Sequence, residues 1–317
     1  LYPAIYSTER DYLERVLPLL KPYERWIRRL LIFDGLSTSS GAHVASVRGS
    51  LEDGPESLSL IGGTDGWFAE LNRNRPSPGD MDGVAWSITP QVHADDDLSI
   101  VETIEPQGDQ VRTAHSFAPG LDLVVGPITL RPRYQPHAAD AWSQSLDPRP
   151  EAADPRQGAL LAAAWTAASL AELSSAGTTS LTYFETDGPR GIVGGSEGGV
   201  RPCWHPLAEF AAWRGWDVLQ TESEDPMAVR ALSVLDPRTG EKWLIAANLR
   251  SVPTTLRLEG LGPELRARFL DSSSMAAACA DPISFRARPG RALAVADPGR
   301  LTLAPYGVVT VRELLPA

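Results

Sequence analysis

Over its first two thirds the chain alternates short apolar runs with longer amphipathic stretches. After Ser7-Thr8-Glu9-Arg10, the segments YLERVLPLL and YERWIRRL predict a capped amphipathic helix, broken at Pro18 and Pro22. LLIFD (30–34) predicts a short buried strand ending in a carboxylate. SLSLIGGTDGWFAELNR (57–73) runs from strand into a Gly-rich polar loop, and MDGVAWSITPQVH (81–93) is a further strand closed by Pro90 and His93. The stretch 95–117 opens on three Asp residues suited to a helix N-terminus. LDLVVGPITLRPR (121–133) is a fourth strand, and DPRQGALLAAAWTAASLAELSSAG (154–177) is the clearest helix, with Gly177 where a C-cap belongs. GTTSLTYFET (177–186) is a fifth strand, followed by a Gly-rich loop (188–199) and the helix-like HPLAEFAAWRG.

Strands alternating with helices imply a parallel sheet with right-handed crossovers. Asp34, the run Asp65 to Arg73, His93, Arg131 with Arg133, and Glu185 all stand at carboxyl ends of expected strands. A (β/α)8 barrel builds its active site there. The plain alternative is that strands exit into solvent, where polar residues belong. The expected fold is therefore α/β, a TIM barrel of (β/α)8 type over residues 1–218. Five βα units are visible against eight in a complete barrel of ~250 residues, so the barrel reads as truncated at its amino end. The opening LYPAIYSTERDYLERV, with no initiator Met, reads the same way: a processed product, a cloned fragment or part of a larger chain.

Past residue 218 the texture changes to MAVRALSVLDPRTGEKWLIAANLRS, TTLRLEGL, RARFLD, ALAVADPG, RLTLAPYG and VVTVREL, with turn signals between them. This predicts an all-β sandwich over 219–317.

Composition narrows the classes. The 317 residues are 43% hydrophobic and 22% charged, as expected of a folded chain rather than a disordered one. A net charge of −11 repels phosphate backbones and argues against nucleic acid. The longest apolar runs fall far short of the ~18–20 residues of a membrane span, and no charged segment followed by an apolar run opens the chain. No membrane partner and a cytoplasmic location are the expectation. Two cysteines, Cys203 and Cys279, with no CxxC pair, speak against a disulfide framework or a zinc–thiolate site. No metal or cofactor is expected. HExxH and Walker patterns are absent, and GGSEGG (194–199), whose Gly194–Gly198 carries the letters of GxSxG, reads as a flexible loop and not as a nucleophile elbow.

The densest constellation is GGTDGWFAELNRNRP (62–76). Gly62 and Gly63 permit close backbone approach, and Asp65, Glu70, Asn72 and Arg73 could hydrogen-bond several sugar hydroxyls; a polar surface loop is the plain alternative. His93, directly after a strand, is either a general acid/base or a satisfied structural histidine, and Asp95–Asp97 can be simple helix caps. Arg131 and Arg133 share a face if extended and suit either a carboxylate product or salt bridges. In LTYFETDGPRG, Glu185 has the position of a catalytic carboxylate at a barrel mouth, with Tyr183 beside it as a substrate contact. Trp204 and His205 read as packing.

Taken together and in order, GGTDGWFAELNRNRP, SITPQVHADDD, VVGPITLRPRY, DPRQGALLAAAWTAASLAELSSAG and LTYFETDGPRG resemble the D-apionate lactonase family over about residues 25–215. The resemblance implies an enzyme of bacterial apiose catabolism that hydrolyses D-apionolactone to D-apionate. It also implies a β domain, a glycosidase-like barrel and a second β domain, of which this chain would lack the first domain and the leading barrel strands. On the residues themselves, Glu185 or Glu70 would activate water, the other carboxylate would act as acid or orient substrate, and His93 would assist proton transfer. Asp65, Asn72, Arg73, Arg131 and Arg133 would hold hydroxyls and the developing carboxylate. A glycoside hydrolase using the Glu70/Glu185 pair is the first alternative. A non-catalytic carbohydrate-binding protein is the second.

Overall fold

A computed structural model describes residues 3–35, 38–51, 58–77, 79, 81–133, 153–194, 199–293 and 299–315. Six parallel strands pair in sequential order: β1 (Ala4–Ile5), β2 (Arg29–Ile32), β3 (Ser59–Trp67), β4 (Gly83–Ile88), β5 (Asp122–Ile128) and β6 (Ser180–Tyr183). Sequential order with helical crossovers is the winding of a TIM barrel, here a half-barrel. Both faces of the sheet are apolar. Leu30, Leu60, Val84 and Leu123 face the helices, while Leu31, Phe33, Ile61, Ala85 and Val124 form a separate cluster on the other face. That two-sided burial is why these strands read as apolar runs without alternation.

The first strand was not expected. Two residues carry no periodicity, and β1 exists because the carbonyls of Pro3, Ile5 and Tyr6 accept from Leu31, Phe33 and Gly35. Helix α1 (Arg10–Leu20) corrects two further expectations: Glu9 is its N-cap, and it continues through Pro18, which sits in its last turn. Helices α2 (Gly41–Gly49) and α3 (Phe68–Arg73) follow β2 and β3. The single helix expected over 95–117 is split at Thr103 into α4 (Asp97–Glu102) and α5 (Ile104–Phe117). Asp96 caps α4 by accepting from the Ser99 backbone, the capping role allowed for that Asp run.

Helix α6 (Leu160–Ser175) is buried on almost every side. One side packs on α5 and the parallel sheet, the other on a six-stranded antiparallel sheet. That second sheet has the order β12-β11-β14-β9-β8-β7, from β7 (Asp217–Leu219), β8 (Val229–Leu235), β9 (Lys242–Asn248), β11 (Leu265–Leu270), β12 (Arg291–Ala292) and β14 (Val308–Glu313). Its alternation is strict: Leu232, Val234, Ile245 and Ala247 face α6, while Leu244, Ala246, Val309 and Val311 face away. The far face is covered by a ribbon of β10 (Thr254–Arg257) and β13 (Arg300–Leu303), which contributes Leu256, Leu301 and Leu303. Two short helices, α8 (Met275–Ala280) and α9 (Pro282–Ala287), interrupt what the sequence predicted as purely β. Most of the expected strand ALAVADPG, at 294–298, and residues 195–198 of the GGSEGG loop lie outside the described residues. No helix among the described residues is long and apolar enough to cross a membrane.

Helix α7 (Trp204–Ala212) completes the layer between the sheets. His205, 5% exposed, is edge-on to Trp204 and Phe285 and has no well-formed hydrogen-bond partner. Burial pushes its pKa down to about 4; Arg268 and Arg286 add to the shift, while Glu209 and the Ala278 backbone oppose it. Because the folded value lies below the unfolded ~6.5, the unfolded chain binds the extra proton first. His205 therefore leaves stability untouched above about pH 6.5 and withdraws it progressively as pH falls toward 4, by about 2 kcal/mol at pH 5. Thermal unfolding of His205→Leu should lose less stability between pH 7 and pH 5 than the unsubstituted chain; parallel curves would remove His205 from the acid response.

Candidate functional site

The carboxyl ends of β3, β4 and β5 all carry register irregularities, and these decide which side chains reach the mouth. On β3, Gly63 pairs with Ala85 and Trp67 with Ser87, so Thr64, Asp65 and Gly66 stand opposite Trp86 alone. On β5, Gly126 and Pro127 form a smaller bulge against both β4 and β6. The β3 bulge begins at Gly63, whose φ of 111° lies in the region that favours glycine and whose missing Cβ would meet the Ala85 backbone.

Three hydroxyls satisfy the backbone that the bulge frees. Ser39, fully buried, accepts from the Gly63 N–H at 2.8 Å and donates to the Gly63 carbonyl at 3.1 Å. Thr64 Oγ1 accepts from Gly66 N–H at 2.9 Å, and Ser87 Oγ donates to the Gly66 carbonyl at 2.9 Å. With these polar groups paired, the bulge is a fixed feature.

The bulge delivers Asp65, 2% exposed, to the interior side of the strand ends. Its Oδ1 accepts from Arg133 Nη2 at 2.7 Å and its Oδ2 from the Tyr6 hydroxyl at 3.2 Å. Burial, followed by the Asp65 charge, raises the Tyr6 pKa well above the usual phenol range, so Tyr6 is a hydroxyl donor at any physiological pH. The Tyr6 ring packs against Phe33, with centroids 5.5 Å apart. A small recess lined by Trp67, Ser87, Thr89, Thr129 and Arg133 lies beside this cluster. Tyr6 carried no motif; its partner lies 59 positions away, and only the pairing of β1 brings it in.

The other expected residues are distributed as follows. Glu185 follows Phe184, which has a φ of 53°, and its Oε1 accepts from Arg190 Nε at 2.8 Å with the side chain 40% exposed. Glu70 lies on α3, past the strand end, and pairs with Arg73 of the same helix at 2.8 Å. Asn72 accepts from Arg75 at 2.8 Å on the exposed side of α3, so neither Asn72 nor Arg73 joins the Asp65 cluster. His93 is exposed, five residues beyond β4. Arg131 donates to the Ala153 carbonyl, and Arg133 donates to Asp65.

Tyr183 is a correction. Its hydroxyl lies 2.7 Å from Ser169 Oγ of α6, in the core on the helix side of the sheet, so it does not face substrate. Beyond β4, Gln91 donates to the Leu130 carbonyl at 2.6 Å and to Asp154 at 2.5 Å, and Arg156 joins Asp154 to Asp97. Among the described residues no His/Cys/Asp/Glu group is arranged to hold a metal ion.

Family descriptions match both halves of the chain: the D-apionate lactonase TIM-barrel domain over residues 35–215 and the D-apionate lactonase C-terminal immunoglobulin-like domain over 226–311. A D-apionate lactonase from Brucella anthropi is 30% identical over 207 residues, 63% of this chain. The chain spans about a third, 33%, of that relative's length. Among solved structures, a bifunctional glucanase-xylanase from a metagenome library aligns with a TM-score of 0.59 at 9% identity, covering 90% of this chain and 64% of that one. An arabinofuranosidase aligns at 0.60 and 10%, covering 97% and 71%. At these identities the likeness is one of fold.

The bulge yields a stability prediction. Gly63→Ala places a methyl group against the Ala85 backbone in a strained conformation and should cost about 3 kcal/mol or more. Gly35→Ala, also at positive φ but with nothing within 4 Å of its Cβ, should cost only about 1 kcal/mol. Urea unfolding of the two variants compares them directly, and equal losses would show that the bulge is not rigid.

Proposed function

We propose, for a chain that belongs to the D-apionate lactonase family, that the strand-end cluster around Asp65 binds and opens a small sugar lactone, D-apionolactone, to its aldonate. The observation that carries this reading is the buried Tyr6–Asp65–Arg133 cluster at the carboxyl end of the half-barrel; Glu185, partly exposed, follows the carboxyl end of β6 in the same sheet. In hydrolysis, water adds to the lactone carbonyl carbon, the ring C–O bond breaks, and the departing alkoxide takes a proton. Glu185, steadied by Arg190, is the base that takes the proton from water.

Arg133 supplies the positive charge toward the carbonyl oxygen as it becomes an oxyanion and then holds the product carboxylate. Asp65 already accepts at both oxygens, so its part is to fix the orientation of Arg133 and Tyr6. Glu70, on α3 just after the bulge, is the second carboxylate, and exposed His93, beyond β4, assists proton transfer in this proposal. The glycosidase-like fold keeps a glycoside-cleaving alternative as an outcome of the test.

The test is pH-stat hydrolysis of D-apionolactone and other aldonolactones by the natural full-length polypeptide, beside an aryl-glycoside panel. Glu185→Gln should lower kcat by about 10²–10⁴-fold and Arg133→Gln by about 10²–10³-fold. Tyr6→Phe, which removes only an orienting contact, should cost less than either. Release of the aryl group from glycosides, or full lactone turnover by Glu185→Gln, would overturn the reading.

A further inference from the structure

A second cavity, of about 480 Å³, lies between the carboxyl end of α7 and the antiparallel sheet. None of its lining residues belongs to the Asp65 cluster or to the recess beside it. One wall is aromatic. The centroids of Trp213 and Trp216 are 6.3 Å apart with rings 24° from parallel, and Trp243 lies 6.1 Å from Trp216. Trp216 and Trp243 are half-buried, so each leaves part of its ring facing the open space.

The remaining lining is cationic and held in place. Arg312 donates Nε and Nη2 to Glu241 at 3.0 and 2.8 Å while its guanidinium lies 5.2 Å from the Trp243 ring centre. Arg238 donates to Asp236, a carboxylate 5% exposed, while its own side chain is 79% exposed. Deeper in, Arg268 and Arg286 share the buried Glu209. The lining thus sets four arginines against three carboxylates, an excess of positive charge in a chain of net −11. Arg312, Arg268 and Arg286 are held by carboxylates before any ligand arrives, which lowers the ordering cost of binding, while exposed Arg238 stands at the rim.

Two chemistries therefore meet in one space: flat indole surface, which accepts the C–H face of a sugar ring, and oriented guanidinium groups, which accept a carboxylate. A neutral sugar would leave the arginines unused, and a small anion would leave the indoles unused. We propose that this cavity is a second binding site, for a cyclic acidic sugar of the hexuronate type. A volume of about 480 Å³ is in the range of small-molecule sites and suits one or two sugar units. The proposal is independent of the lactone chemistry assigned to the barrel mouth.

The experiment is a titration with D-glucuronate, read by intrinsic tryptophan fluorescence and by calorimetry, with D-glucose, D-gluconate and acetate as comparison ligands. Glucuronate should bind saturably and at least tenfold more tightly than each of the other three. Trp216→Ala and Arg238→Ala should each weaken it at least tenfold. Arg238→Ala alone decides the matter if the tryptophan variant fails to fold, because this exposed side chain contributes nothing to the core. Glu185→Gln, outside the cavity's lining, should leave the affinity unchanged. Absence of saturable binding, equal affinity for acetate, affinity unaltered in Arg238→Ala, or loss of binding in Glu185→Gln would each overturn the proposal.

Discussion

The structure depends on one helix that has no solvent face. Helix α6 presents alanines in most directions, which lets the barrel sheet approach from one side and the antiparallel sheet from the other, with Trp165 filling the space that small residues leave. A helix apolar all round must be buried all round, so its sequence requires a second layer beyond the barrel. Polar contacts then set the orientation. Ser169 meets Tyr183 and Gln107 at 2.7 and 2.5 Å, and Glu172 binds Arg230 of β8 at 2.6 Å. Gly108 of α5 leaves the space that the Glu172 carboxylate fills, so one missing side chain permits the ion pair that ties α6 to the second sheet.

The mouth follows a different logic, in which irregular backbone is fixed by side-chain hydroxyls. A parallel strand of regular register would place every second residue inward to its end. The β3 bulge adds residues opposite Trp86, and Ser39, Thr64 and Ser87 supply the hydrogen bonds that the ladder no longer makes. The product is a carboxylate, 2% exposed, held between a guanidinium and a phenol drawn from β1 and from the segment beyond β5. A buried ion pair of this kind contributes orientation more dependably than stability. Its two donors come from opposite sides of the sheet, so the cluster also reports that the strands are correctly wound.

The same physics explains what could be read from the sequence. Strands buried on both faces write themselves as apolar runs, so β2 to β5 were legible; β6, half-exposed, was legible from its alternation, and so was the change of texture near β7. In LTYFET the exposed Thr182 puts Leu181 and Tyr183 on one face, but the alternation does not say which layer that face meets, and Tyr183 turned to α6 instead of the mouth. Gly63 does lie against backbone, that of Ala85, as the Gly62-Gly63 pair suggested, while Gly62 lies against the Met81 side chain; Tyr6 and the two-residue β1 carried no local signal because their partners are distant. Helices α8 and α9, six residues each, are too short to establish a period. The Asp run was legible as a cap, and Asp96 is one.

The second domain also adjoins the mouth's support, at the end of a chain of polar contacts. The Leu130 carbonyl, just beyond β5, accepts from Thr89 at 3.2 Å and from Gln91 at 2.6 Å. Gln91 reaches Asp154, Asp154 holds Arg156, and Arg156 donates to Asp97 at the start of α4. Burial, then the nearby Asp97 charge, raises the pKa of Tyr306, which comes from the turn before β14 and has a φ of 52°. The segment that carries Arg131 and Arg133 is thus fixed at one end by the strand and along its course by a relay that ends at Asp97, near Tyr306 of the antiparallel domain. Since Arg133 is placed by that segment and Asp65 by the β3 bulge, their 2.7 Å contact requires both supports at once. The antiparallel domain in this sense adjoins the carboxyl end of the barrel, and the ionic cavity is built from the same antiparallel sheet.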